Sequence, residues 1–286
     1  MNAPKFLSDL EMSQAAVAKR LVDGLIAGDP SAVRDLYEGP ADIDDPVAGR
    51  QIDGGFEQLV RGWALTNMAK VLSSTMIAST TGANGRFAGS EFHLELDIKG
   101  RPQTVDMVVV SEFGPAGALL RNRLYYRLAR VTGEQHVRTR ILPETPVHDE
   151  PDLPGMVEYQ RTLRAGNPLA MAATFTDDAV FDGHGESLDL RDGVGMGRFV
   201  GMKAIIGVLS QMFDIADEEA SHDGDGRNGI ILEKLNKFNN GVTTVVEFNI
   251  IHKNHPTNRV SSGVACYELN AEGTKLAAAR IYDEAW

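Results

Sequence analysis

Two stretches of this chain carry side chains suited to moving protons. In Asp182-Gly183-His184-Gly185-Glu186 a carboxylate and an imidazole sit two residues apart among glycines. A histidine beside a carboxylate exchanges protons near neutral pH. In Ala41-Asp42-Ile43-Asp44-Asp45-Pro46-Val47 three acids precede a proline. A carboxylate there, once partly desolvated, has its pKa raised toward the operating pH and can remove a proton next to a carbonyl. Both stretches have a plainer reading: a solvated acidic turn, which Pro46 favours, and a polar loop with a surface histidine.

Other groups read two ways as well. His93, Glu95 and Asp97 share one strand face and line either a pocket or solvent. Arg121, Arg123 and Arg280 could orient an anionic substrate oxygen or form surface ion pairs. Trp63 and Trp286 could serve as ligand platforms or as core. His252-x-x-His255 has metal-type ligands, but it stands before Pro256 at an expected hairpin tip without a third ligand. Asp223-Gly224-Asp225-Gly226-Arg227-Asn228 puts Arg227 and Asn228 where a calcium loop needs a ligand and a glycine. Gly193-x-Gly195-x-Gly197 lacks the spacing of a dinucleotide fingerprint. Gly185-Glu186-Ser187 is no nucleophile elbow, and Cys266 has no base nearby in sequence. Neither a metal nor a cofactor is expected.

The elements that must position these groups occur twice. Ala27-Gly28-Asp29-Pro30 recurs as Ala165-Gly166-Asn167-Pro168, an offset of 138 (166 minus 28). At that offset 27/165, 28/166, 30/168, 32/170, 41/179 and 44/182 are identical, six of the twenty positions from 27 to 46. A period of this size means two complete domains rather than a solenoid. The expected division is 1–145 and 146–286, with the proline-rich acidic stretch 143–154 as linker.

In each half helices come first and strands follow. Helices are expected at 15–27, directly after Asp29-Pro30, and at 54–65, and strands at 92–98, 104–113 and 119–128. In the second half helices are expected at 156–165 and 201–213, and strands near 229–236, 241–252, 258–269 and 275–284. This order indicates an α+β domain with helices on one face of a curved antiparallel sheet. With 286 residues, 43% of them hydrophobic, each half can bury a core of its own. A net charge of −12 argues against a nucleic-acid or anionic-membrane surface. No window approaches 18 apolar residues, and the first twenty residues show no signal-peptide pattern, so a cytoplasmic location is expected.

The helix ending in Leu-x-Ala-Gly-Asp/Asn-Pro, the segment Ala41–Val47, and the late-strand elements Arg123-Leu124-Tyr125 and Arg280-Ile281-Tyr282 together resemble the nuclear transport factor 2-like superfamily. Its enzymes include ketosteroid isomerase, the polyketide cyclase-like proteins, scytalone dehydratase and limonene epoxide hydrolase. The resemblance implies two tandem cone-shaped α+β barrels, each a bent sheet wrapped around helices and an apolar pocket. It also implies an intrachain pseudo-dimer, with further homo-oligomerisation left open.

In ketosteroid isomerase the base is the aspartate of Asp-Pro-Val, which falls on Asp45. The oxyanion donors of that enzyme fall on Leu21 and near Ser111, so the first copy has a base without its donors. In the second copy Tyr159 stands at the tyrosine position, while Gly183 replaces the base and Ala265 falls near the strand aspartate. Tyr159, Asp182 and His184 resemble the equipment of the dehydratase branch. Substrate contacts are expected from Trp63, Arg123, Tyr125, Arg280 and Tyr282. The expected function is therefore cofactor-independent acid/base chemistry, as lyase/dehydratase or isomerase, on an apolar, aromatic or polycyclic small molecule. The alternative is a non-catalytic binding or scaffold protein on a degenerate enzyme fold.

Overall fold

In a computed structural model the chain is described at residues 9–127, 129–132, 148–165, 167–183, 197–210, 230–252 and 260–283. It divides into two compact units, Met1–His136 and Val137–Trp286. The boundary expected at 145/146 lies outside the described residues.

The first unit begins with helices α1 (Asp9–Ala27) and α2 (Pro30–Arg34), then strands β1 (Asp42–Asp45) and β2 (Gly49–Ile52). Helices α3 (Gly54–Arg61) and α4 (Ala64–Met68) follow. The unit closes with β3 (Lys70–Thr81), β4 (Phe87–Ile98), β5 (Arg101–Phe113), β6 (Leu119–Tyr126) and helix α5 (Ala129–Thr132). The second unit has β7 (His148–Asp149), α6 (Pro154–Arg164), α7 (Pro168–Ala172), β8 (Phe175–Asp182), β9 (Arg198–Val200) and a helix over 202–210, α8. Strands β10 (Ile230–Asn239), β11 (Thr243–His252), β12 (Val260–Leu269) and β13 (Leu276–Asp283) complete it.

The repeated tetrapeptide is a helix junction in both units. Asp29 caps α2, its Oδ1 accepting from the amides of Ser31 at 3.0 Å and Ala32 at 3.1 Å. Asn167 caps α7 from the same place, accepting from the Ala170 amide at 3.0 Å. In each case proline takes the first helical position, where no amide proton is needed. Gly28, at φ 62°, supplies the left-handed residue that ends α1.

The sheets have corresponding orders, β2-β1-β6-β5-β4-β3 in the first unit and β7-β10-β11-β12-β13-β8-β9 in the second. Apart from the added β7, β8 to β13 stand where β1 to β6 stand. Neighbours are antiparallel except at β1/β6, β8/β13 and β7/β10. Both units thus show the α+β layout that the sequence led us to expect. Strand β3 went unforeseen, because its residues are largely half-buried or exposed serines, threonines and isolated apolar side chains at a sheet edge. The short strands β1, β2, β7 and β9 and the eight-residue β8 were also unforeseen; four-residue β1 reads as a turn from its acids.

Alternation along the strands decides which face each side chain joins. Ile43, Phe92, Leu94, Val109, Leu124 and Tyr126 pack with Leu21 and Leu25 of α1 and Phe56 of α3 in one apolar cluster, which marks the inner face. In the second unit Phe181, Val246, Ala265, Tyr267, Ala279 and Ile281 do the same with Met156 and Tyr159 of α6. The outer face carries a row in each sheet that sequence reading missed. Glu91, Val108 and Tyr125 lie in register across β4, β5 and β6. Glu247, Val264 and Tyr282 lie in register across β11, β12 and β13. Both glutamates are 0% exposed. Beside each row an aspartate of the short parallel strand faces the arginine of Arg-x-Tyr, Asp44 with Arg123 and Asp182 with Arg280.

Strand β1 is fastened to both neighbours by Asp42. Its carboxylate accepts from Arg50 of β2 at 2.9 and 2.6 Å and from Arg121 of β6 at 2.9 Å. Burial alone would raise the Asp42 pKa, but the two guanidinium partners outweigh it and hold it below its usual value. In the second unit an ion cluster stands at the opposite sheet edge, where Lys237 of β10 has Nζ 2.7 Å from Asp149 and 2.9 Å from Asp152. Asp152 in turn accepts from Gln160 of α6, which ties the segment before that helix to the sheet edge.

A folded-state pKa below the unfolded one stabilises the protein above the unfolded pKa, and that contribution disappears as pH falls through the folded value. Asp42→Asn should therefore lower the denaturation free energy of the first unit by about 1–3 kcal/mol near neutral pH. The gap to the wild type should narrow below about pH 3.8. Urea unfolding of both proteins across pH 2–7 checks this; a gap that does not depend on pH would contradict it.

Candidate functional site

Asp45 closes β1 with its side chain on the inner face and is 1% exposed. Oδ1 accepts from the amides of Val47 at 2.8 Å and Ala48 at 2.9 Å, an aspartate turn that shapes the corner into β2. Oδ2 accepts from Trp63 Nε1 at 3.1 Å and from the Tyr126 hydroxyl at 2.6 Å. The Trp63 and Tyr126 rings meet edge to face, with centroids 5.9 Å apart at 90°. A carboxylate offers about four acceptor positions, and here four donors occupy them. The turn expected around Asp45 is present with Val47 and Ala48 exposed, but the Asp45 side chain itself is buried.

Each partner comes from a different element. Trp63 stands at the start of α4, where an extended backbone directs the indole into the core. Tyr126 ends β6, on the inner parity shared with Leu124. Sequence reading selected Tyr125, one residue earlier, through the Arg-x-Tyr pattern. The parity of Leu124, two residues earlier and paired with Val109 of the neighbouring strand, was the signal that could have pointed to Tyr126.

A second polar group lies on the same inner face. Ser111 Oγ of β5 donates to Asn122 Oδ1 at 2.6 Å, and Asn122 Nδ2 of β6 donates to the Tyr37 hydroxyl at 2.7 Å. Tyr37 follows α2 and is held against β6 by a bridge to Leu119. Its ring meets Phe56 edge to face at 6.0 Å. Burial pushes the Tyr37 hydroxyl pKa far above its usual value, outweighing the Asn122 contact that lowers it. This hydroxyl therefore keeps its proton at any physiological pH.

The remaining candidates are not gathered into one place. Arg123, Tyr125, Arg280 and Tyr282 lie on the outer face, opposite the apolar clusters, so strand alternation turns them away from where a substrate contact was expected. Arg280 donates to Glu268 at 3.1 Å. Tyr159 lies on the inner side of the second unit, edge-on to Phe175 at 5.9 Å and 5.1 Å from the Tyr267 ring. Burial first, then the Tyr267 hydroxyl to which it is hydrogen-bonded, raises its pKa well above normal. Asp182 follows inward Phe181 and so faces the other way. The structure does not bring Tyr159 and Asp182 together, and His184 lies outside the described residues. The two rejected motifs at 223–228 and 252–255 also fall outside them, except for the strand residue His252.

The second unit replaces the Asp45 arrangement rather than repeating it. At offset 138 Asp45 corresponds to Gly183, which has φ 149°. A Cβ there would come 2.8 Å from Cβ of Ile281 and 3.1 Å from its carbonyl oxygen. Where the first unit has Tyr37, Asn122 and Ser111, the second has Phe175, Ala279 and Tyr267, as strand register shows for the last two. An aromatic cluster thus fills the place of the polar chain. Gly183→Ala should destabilise the second unit by about 2 kcal/mol or more, given backbone strain added to the clash. Thermal unfolding resolved between the two units measures this, and an unchanged second transition would show that the site tolerates a side chain.

No family model matches the chain, and no curated protein matches it. Solved structures similar to it include the epoxide hydrolase/cyclase-like enzyme SalBIII of pyran ring formation in salinomycin, at 16% identity and TM-score 0.34, covering 42% of this chain and 95% of that one. A protein from Catenulispora acidiphila with a ketosteroid isomerase-like fold, in complex with trimethylamine, has 20% identity and TM-score 0.33 over 41% of this chain and 89% of its own. PrhC from Penicillium brasilianum has 11% identity and TM-score 0.36 over 43% of this chain and 85% of its own.

Proposed function

We propose that the first unit is a cofactor-independent acid/base catalyst for an apolar small molecule, with Asp45 as the group that carries the proton. The observation behind this reading is a carboxylate buried among Trp63, Tyr126 and the apolar inner face, with a tyrosine hydroxyl only 2.6 Å from one of its oxygens. In such surroundings each hydrogen bond to a developing charge counts for more than it does in water.

The chemistry would run as follows. Asp45 exchanges one of its four donors for the C–H adjacent to a substrate carbonyl. The C–H bond breaks, its electron pair moves into the enolate, and the proton rests on the carboxyl oxygen. Return of that proton to another carbon is isomerisation; departure of a group β to the carbonyl is elimination. Tyr126 and Trp63 hold Oδ2 in place throughout, so the proton is taken on Oδ1, which gives up one of its two backbone donors. The two-domain division, a hydrophobic substrate and a cytoplasmic setting belong to this proposal.

The full set of donors on Asp45 also favours a second reading, in which the carboxylate is a structural tie and the inner face only binds. One assay separates them. The α-protons of 2-tetralone exchange with deuterium oxide at a rate that proton magnetic resonance follows. Wild type should accelerate the exchange, Asp45→Asn should remove about 10²–10⁴-fold of that acceleration, and Tyr126→Phe should cost roughly tenfold. Exchange at the buffer rate with wild type, while Asp45→Asn lowers only the melting temperature, supports the structural tie instead.

A further inference from the structure

The chain Ser111–Asn122–Tyr37 has a direction. Ser111 gives its proton to the amide oxygen of Asn122, and the amide nitrogen gives one to the Tyr37 oxygen. The Tyr37 hydroxyl accepts, and its own proton remains. Among the described residues no acceptor takes that proton, although the residue is only 8% exposed. A buried hydroxyl that keeps its proton and has nowhere to place it costs free energy unless a partner arrives. The second unit shows how the fold avoids this cost where no such donor is kept, with Phe175, Ala279 and Tyr267 at the corresponding positions and the tyrosine pair bonded to each other.

The site is built rather than incidental. Ser111 and Asn122 are cross-strand partners on the inner face, so sheet register fixes the amide. Phe56 fixes the Tyr37 ring. Asn122 and Tyr126 both point inward on β6, four residues apart, which places them about 13 Å from each other at the usual strand rise. Ile43 and Leu124, both in the apolar cluster, belong to the stretch between them.

We infer that the Tyr37 hydroxyl is a second ligand contact on this face, donating to a carbonyl or other oxygen acceptor at the end of an elongated apolar molecule remote from Asp45. This rests on the reading of the inner face as a ligand site and adds its substrate class: a rigid, largely hydrocarbon compound on the order of 10 Å long with an oxygen at its far end. Tyr37 then acts in positioning and specificity, not in the proton transfer at Asp45. A site that orients a donor in this way discriminates strongly against the analogue that lacks the acceptor.

The test compares 2-acetylnaphthalene with 2-ethylnaphthalene, which has nearly the same shape without the oxygen. Binding to the full chain is measured by calorimetry. Wild type should favour the ketone by about tenfold, the worth of one hydrogen bond. Tyr37→Phe should abolish the preference while leaving 2-ethylnaphthalene affinity within about twofold. Asp45→Asn should preserve the preference. The carbonyl stretch of bound 2-acetylnaphthalene should be red-shifted in wild type, a readout that needs no variant. A preference and a shift that survive Tyr37→Phe overturn the assignment but leave the Asp45 proposal standing. Failure of both probes to bind wild type overturns the assignment, whereas the Asp45 proposal is decided by the 2-tetralone exchange.

Discussion

The two-residue parallel contact between β1 and β6 is what the first unit depends on. It lays Asp42–Asp45 beside the last strand with Ile43 opposite Asn122 and Asp44 opposite Arg123. Alternation does the rest: Asp42 and Asp44 face outward with the arginines, and Ile43 and Asp45 face inward with the apolar cluster. A shift of one residue would bury Asp42 and Asp44 among leucines and leave Asp45 without Trp63 and Tyr126, so register here is strongly specified. The Asp42 clamp to Arg50 and Arg121 stands on the outside at just this junction, where it opposes such a slip.

The same contact recurs at β8 and β13, with Phe181 opposite Ala279 and Asp182 opposite Arg280. Topology has been retained and chemistry has not. Gly183 leaves no room for an inward acid, and the Tyr159, Phe175 and Tyr267 rings occupy the region that carries a polar chain in the first unit. Tyr159 of α6 is therefore a packing residue bonded to another tyrosine, and its hydroxyl would have to leave Tyr267 before it could meet a substrate.

Much of the fold was legible in the order of residues. The twin Asp29-Pro30 and Asn167-Pro168 junctions announced two copies because helix capping is local chemistry that four residues can specify. The helices-then-strands order and the long strands β4, β5 and β11 to β13 were legible from periodicity. Edge strand β3 was not, since a half-exposed strand of serines and threonines has no strong period. For the proposed site, Asp45 and Trp63 were singled out from the sequence, but their hydrogen bond and that of Tyr126 were not legible there. Adjacent Tyr125 and Tyr126 both read as strand, and only sheet parity separates the inner from the outer. Tyr37, Ser111 and Asn122 are brought together by pairing across β5 and β6, a relation that nothing in their local sequence encodes.

Comparison of the halves suggests how to weigh motifs in a duplicated chain. The charged and tyrosine residues common to both at equivalent strand positions, Asp44/Asp182, Arg123/Arg280, Tyr125/Tyr282 and Glu91/Glu247, belong to the outer face. Residues that differ are Asp45/Gly183, Tyr37/Phe175, Asn122/Ala279 and Ser111/Tyr267, and these belong to the inner face. Buried ionisable side chains demand matched partners, so a duplicated sheet cannot drop them singly without leaving an uncompensated charge. An inner polar group can be exchanged for an aromatic ring at small cost once no ligand calls for it. Arg-x-Tyr, the feature that made the family resemblance visible, is by this logic a mark of scaffold, and the proposed chemistry falls where the two copies disagree.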